Sequence, residues 1–198
     1  MSKESYFAEV VESSLTNWTA QSWKWDTFPR FGSFVAIEAK NRTIFGIVHQ
    51  VHTGSMDPGR YPFPYQKTEE ELLREQPQIF EFLKTTFSCI TIGYQEKDSL
   101  FYRVSPEPPK IHSFVAYPST ETTRLFFSNV CYLHLLFTYA THVFNIDELM
   151  LALIEHQRSL KICTKDTLSN FMNTYSLLIG NDYRRTKLFL QRVQQSIK

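Results

Sequence analysis

The chain predicts an α+β fold: a small six-stranded antiparallel β-barrel followed by a C-terminal α-helical region. Three observations predict it. All nine prolines lie at or before Pro118, and five of the six glycines lie at or before Gly93. Because these residues punctuate turns and interrupt helices, the N-terminal part is turn-rich and the C-terminal part helical. Apolar residues also recur with period two before that point and with helical period after it. A boundary near Pro118 divides the 198 residues into a barrel over 1–118 and a helical region over 119–198, enough chain to bury an adequate core.

The strands come first. AEVVES and the Trp-rich NWTAQSW open the chain. In SFVAIEA, Val35, Ile37 and Ala39 share one face; in TIFGIVHQV, Phe45, Ile47, His49 and Val51 do, with a turn at Lys40-Asn41-Arg42 between the two runs. FSCITIGY pairs with LFYRV through the polar QEKDS, and IHSFVAY follows the proline cluster SPEPP. Six or seven short strands favour a barrel over a sandwich, since closure removes exposed edges. Residues 53 to 85 form an insertion in which TEEELLREQ and PQIFEFLK read as short helices.

The helices follow. Ile146, Leu149, Met150, Leu153, Ile154 and Leu160 make one stripe, with Asn145 and Glu148 resembling a capping box. Thr164 caps a helix carrying Leu168, Phe171, Met172, Tyr175, Leu178 and Ile179, stopped at Gly180. A last helix from about Asp182 turns Phe189, Leu190, Val193 and Ile197 inward.

Composition narrows the function classes. A net charge of +1 exerts no overall pull on nucleic acid or anionic lipid. Cys89, Cys131 and Cys163 are odd in number, widely spaced and set in apolar runs, which fits a reducing compartment and small buried thiols. MSKESYFAEV has no apolar core of a secretory signal. The apolar run Leu125–Ala140 is broken by Ser128, Asn129 and His134 and is too short to span a bilayer. The reading is a soluble, cytoplasmic protein without membrane attachment.

GSMDPGRY, residues 54–61, is one step from a nucleotide-binding P-loop. Its chemistry fails. Pro58 removes a donor and Asp57 sets a negative charge in the cradle, while Arg60 and Tyr61 replace Lys and Ser/Thr. Pro62 and Pro64 then bar the following helix. His49 and His52 form an H-x-x-H pair that a regular strand points to opposite faces, and nothing nearby completes a metal site. His134 and His142 read as core or boundary histidines. A Cys/His nucleophilic pair has no activating context in the sequence. Glu69, Glu70, Glu71 and Glu75 read as a solvated helix start favoured by the helix dipole over a divalent-ion site. No cofactor, metal or catalytic residue is expected.

Two clusters leave a partner open. On the last helix Arg184, Arg185, Lys187, Arg192 and Lys198 fall opposite the apolar stripe, with only Asp182 to offset them, and are candidate contacts for an anionic or nucleic-acid partner. A solvated basic face near a C-terminus is the plainer reading. Trp18, Trp23, Trp25, Phe28 and Phe31 could stack bases, although packing of a small core is the commoner use of such residues.

Several stretches together carry a family resemblance: FGSFV at 31–35, FGIVHQV at 45–51, EQP at 75–77, Gly93-Tyr94, PEPPKIHSFV at 106–115, DELMLALI at 147–154 and LLIGNDYRR at 177–185. They resemble the HAS-barrel family, named for the barrel shared by HerA-type helicases and the ATP synthase α and β subunits, and in particular its stand-alone members. The resemblance implies a six-stranded barrel. In larger relatives that barrel ties hexameric ATPase subunits into a ring or docks a partner such as a nuclease. No Walker motif accompanies it here, and 80 residues after the barrel are too few for a RecA-like motor, so ATP hydrolysis does not carry over. Gly32 and Gly46 match the family pattern. The expectation is therefore a non-catalytic assembly or docking module that forms a homo-oligomer or binds a protein such as an ATPase or nuclease. A nucleic-acid-binding accessory protein is the alternative, and an enzyme whose site spacing does not reveal is the third.

Overall fold

A computed structural model of the chain describes residues 6–196 apart from 58, 60, 61, 140, 142 and 181. The readings that involve Pro58, Arg60, Tyr61, His142, Ile197 and Lys198 lie outside the described residues.

Seven strands form one antiparallel sheet: β1 (Tyr6–Ser13), β2 (Asn17–Ser22), β3 (Phe34–Ala39), β4 (Arg42–Ser55), β5 (Leu83–Glu96), β6 (Ser99–Phe101) and β7 (Phe114–Ala116). The sheet runs β2-β1-β7-β3-β4-β5-β6, and β2 pairs with β5 as well. That last pairing closes a six-stranded antiparallel barrel. β6, the LFYRV strand, stays outside the ring, because it pairs only with the end of β5, through Tyr94–Phe101 to Glu96–Ser99. β7 takes the place between β1 and β3 with only three residues, so a short late strand supplies the closure.

Alternation along the strands sorts their side chains into two cores. The barrel interior holds Ala8, Val10, Trp18, Ala20, Val35, Ile37, Val48, Phe87, Cys89 and Val115. A Cβ on Gly46 would come 2.8 Å from the Trp18 ring, so glycine is what lets the indole lie against β4. The opposite phase of β3, β4 and β5 (Phe34, Ala36, Phe45, Ile47, Ile90, Ile92) belongs to a larger cluster shared with the C-terminal helices.

The facing assignments of β4 change along the strand. Phe45 and Ile47 face the helices as a pair, whereas Val51 packs on the barrel interior. Between them the register slips at Val48 and Gln50, so His49 is an extra, buried residue. A β-bulge shifts the alternation by one residue, which is why the period-two reading placed Val51 with Phe45 and the structure does not.

Seven helices lie among the described residues. α1 (Glu69–Glu75) and α2 (Gln78–Glu81) sit between β4 and β5; α3 (Thr120–Phe127), α4 (Tyr132–Thr138), α5 (Ile146–Ser159), α6 (Lys165–Leu178) and α7 (Tyr183–Ser196) follow the barrel. The apolar run after Pro118 becomes α3 and α4. Polar residues break it: the Ser128 hydroxyl donates to the Leu125 carbonyl and the Asn129 side chain accepts from the Cys131 amide. The N-caps fall at the expected residues. Asn145 accepts from the amides of Asp147 and Glu148, but the reciprocal half of the expected capping box does not form because the Glu148 carboxylate pairs with Arg192, whereas Thr164 forms a reciprocal pair with Thr167.

An aromatic joint couples helices to barrel. Phe126 lies 5.0 Å from Phe34 and 5.1 Å from Phe45, Phe127 lies 4.8 Å from Phe34, and the Tyr102 hydroxyl donates to the Phe126 carbonyl at 2.8 Å. Such ring pairs add to simple area burial. No described helix is long and apolar enough to cross a membrane.

Candidate functional site

The β4–β5 hairpin outgrows the barrel. Beyond His52 and Thr86 it continues through Thr53–Thr85, Gly54–Lys84 and Ser55–Leu83, then carries α1 and α2 on an arm closed by residues 56–82. No described residue between Val51 and Phe87 belongs to either apolar core, and neither α1 nor α2 has a buried residue. The arm is nonetheless rich in large apolar side chains. Phe63, Tyr65, Leu72, Ile79, Phe82 and Leu83 line a cavity of about 530 Å³, and Phe63 is 63% exposed.

Local chemistry builds this arm. Thr68 and Glu71 make a capping box that starts α1. The Thr68 amide and hydroxyl stabilise the Glu71 carboxylate and pull its pKa below the ordinary value. Lys67 pairs with Glu75, which lowers the Glu75 pKa and raises that of Lys67. So Glu71 and Glu75 have structural work, while Glu69, Glu70 and Glu81 are exposed. At the base of the arm the Trp25 ring stacks on Phe80 at 5.5 Å, and the Thr85 hydroxyl donates to the Trp25 carbonyl.

The glycine-flanked loop sits on this arm. The Asp57 carboxylate accepts from the Gly59 amide at 2.9 Å, and the Ser55 hydroxyl accepts from the Asp57 amide at 3.1 Å. Those amides are turned onto the loop's own side chains, as in an Asx turn, and no helix begins before Glu69.

The aromatic group near the second strand divides. Trp18 is buried inside the barrel; Trp23, Phe28 and Phe31 are exposed, with Trp23 set edge-on to Phe114 at 5.6 Å. His49 is buried and His52 exposed. Among the described residues no three His, Cys, Asp or Glu gather where they could hold a metal ion. Burial pushes the Cys89 thiol well above its ordinary pKa and raises that of Cys163 too. Cys131 and His134, both read from the sequence as lying in apolar surroundings, are exposed on or beside α4, because the buried face of that helix is made by Tyr132, Leu133 and Leu136.

The basic helix is placed differently from its sequence reading. Phe189 and Val193 set the inward face of α7. Arg185 lies one turn before Phe189 and so falls at the seam with α5. Its guanidinium donates to both Asp147 carboxylate oxygens, at 3.0 and 2.7 Å, and the Tyr175 hydroxyl donates to the same carboxylate at 2.9 Å. Asp147 raises the pKa of Arg185, and burial together with Asp147 raises that of Tyr175. Arg192 pairs with Glu148 of α5. Leu190, one residue round from Phe189, is 37% exposed instead of inward. Of the four candidate cations, Arg185 and Arg192 therefore tie α7 to α5, and Arg184 and Lys187 point to solvent.

No family model matches the chain, and no curated protein matches it.

Proposed function

We propose that this protein is a non-catalytic assembly or docking module that works through self-association or by binding another protein. One observation carries the reading: the β4–β5 arm holds an apolar-lined cavity and exposed Phe63, Leu73 and Phe82, and gives nothing to either core. Apolar surface withheld from a core and presented on a projection is the chemistry of a contact surface. The HAS-barrel resemblance supports the same reading through the barrel, which in larger relatives ties subunits or docks partners. Raised thiol pKa values at Cys89 and Cys163 run against a thiolate nucleophile.

Against the nucleic-acid alternative stands the fate of the basic face. Arg185 and Arg192 are engaged with carboxylates of α5, so among the described residues of this face two outward cations remain, Arg184 and Lys187, where phosphate-backbone binding draws on several.

The test compares the full chain with one in which residues 57–81 are replaced by a tight turn. Light scattering reads self-association, and co-purification read by mass spectrometry identifies bound proteins. Assembly or a bound protein that depends on the arm supports the proposal. A chain that is monomeric at every concentration, with no arm-dependent protein attached, overturns it.

A further inference from the structure

The arm and the last helix carry complementary surfaces. On α1, Glu69 lies three residues before Leu72 and four before Leu73, and Glu70 three before Leu73, so both carboxylates flank the apolar side chains on the helix surface. Glu81 adds a third on α2. None of the three has a polar partner among the described residues, unlike Glu71 and Glu75. The arm is thus an apolar centre with an acidic margin.

The outward face of α7 has the reverse arrangement. Tyr183 and Lys187 form one row four apart, and Arg184 and Leu188 form the next. Tyr183 is 77% and Leu188 57% exposed. Arg184 and Lys187 have no carboxylate partner among the described residues, whereas Arg185 and Arg192 do. This is an apolar centre with a basic margin. Both surfaces are open to solvent in the same chain, so they do not cover each other within it.

We propose that the occupant of the arm is a second copy of this chain, seated through the outer face of α7. The inference rests on the assembly reading and names the contact. Apolar side chains of the arm meet Tyr183 and Leu188, and Glu69, Glu70 and Glu81 meet Arg184 and Lys187. Two different patches are joined, so the contact either closes as a reciprocal pair, each copy giving an arm and receiving one, or continues head to tail into a ring. Its charged margin makes the association fall with added salt.

Charge reversal tests it in the full chain. One variant carries Glu69→Arg and Glu70→Arg; the other carries Arg184→Glu and Lys187→Glu. All four positions are exposed, and circular dichroism and thermal unfolding confirm that both variants fold. The wild type runs in light scattering above the 23.3 kDa of one chain, and each variant alone weakens association at least about tenfold, on the scale of like-charge juxtaposition. Mixed one to one, the two variants associate again, because each basic surface now meets an acidic one. Loss in only one variant, or loss in both without recovery on mixing, overturns the contact. An oligomer indifferent to both pairs overturns it as well and leaves self-association through another face. A wild type that stays monomeric overturns the second copy as occupant, and the docking reading then stands or falls on the arm-dependent partner described above.

Discussion

Gly32 is held at φ +79°, and a Cβ there would lie 2.6 Å from the Ala152 Cβ and 2.9 Å from the Ala152 carbonyl carbon. Glycine at this point serves two ends: it allows the left-handed backbone, and it lets the loop before β3 touch α5 directly. Gly32→Ala is expected to destabilise the fold by about 2–4 kcal/mol, since both overpacking and backbone strain arise. Urea unfolding measures it. Adding Ala152→Gly should recover part of the loss although it weakens the helix by itself by about 1 kcal/mol, and a double variant no more stable than Gly32→Ala would remove the contact as the cause. Tyr175 makes a second residue-scale prediction. Its raised pKa means that the folded chain keeps a proton which the unfolded chain, with tyrosine near about 10, releases. The stabilisation is complete below that pH and declines as pH rises through the folded value. Tyr175→Phe should cost about 1 kcal/mol at neutral pH through the lost bond to Asp147, and its unfolding midpoint should fall less steeply above about pH 10 than that of the wild type. Tyr132 and Cys89, shifted the same way by burial, leave a residual slope.

At the scale of elements, the caps and stripes were legible because they depend on near neighbours. Asn145 and Thr164 each accept from amides two or three residues ahead, a geometry written in local spacing, and Thr68, which the sequence reading did not name, caps α1 in the same way. The face of α7 was less legible. Phe189 and Val193 determine its orientation, but which of the flanking residues join them depends on Asp147 and Glu148, carried by α5 and distant in sequence. Arg185 therefore looked like part of a solvated basic face and is a clasp. The arm makes the element-scale prediction. Replacing residues 57–81 by a two-residue turn loses the Trp25–Phe80 stack but no contact of either core and shortens a long loop, so the unfolding free energy should change by no more than about 1 kcal/mol. A large loss of stability in chemical denaturation would show that the arm supports the barrel instead of projecting from it.

For the whole molecule, the larger of the two cores crosses Pro118. Phe34, Phe45, Ile47, Ile90 and Ile92 of the strands pack with Phe126, Leu133, Leu136 and Leu149 of the helices. A chain ending at Pro118 would expose that face, so residues 1–118 alone are expected to aggregate or bind a hydrophobic dye, while the full chain unfolds in a single transition. A soluble, cooperatively folding 1–118 fragment would contradict this. Phe126→Ala, which removes the ring at the centre of the joint, should cost about 3–5 kcal/mol in the full chain.

The sequence alone determined what local rules govern: the alternating runs of the strands, the capped and striped helices, and the proline-rich front and helical back. Tertiary structure decided what those rules cannot reach. It closed the ring through β2–β5 and the three-residue β7, shifted the facing of β4 with a bulge at His49, divided the basic residues of α7 between a seam and an open face, and left the arm outside both cores. Each of these depends on partners distant along the chain. Period and propensity record which side chains share a face of their own element, and only the assembled fold fixes what that face meets.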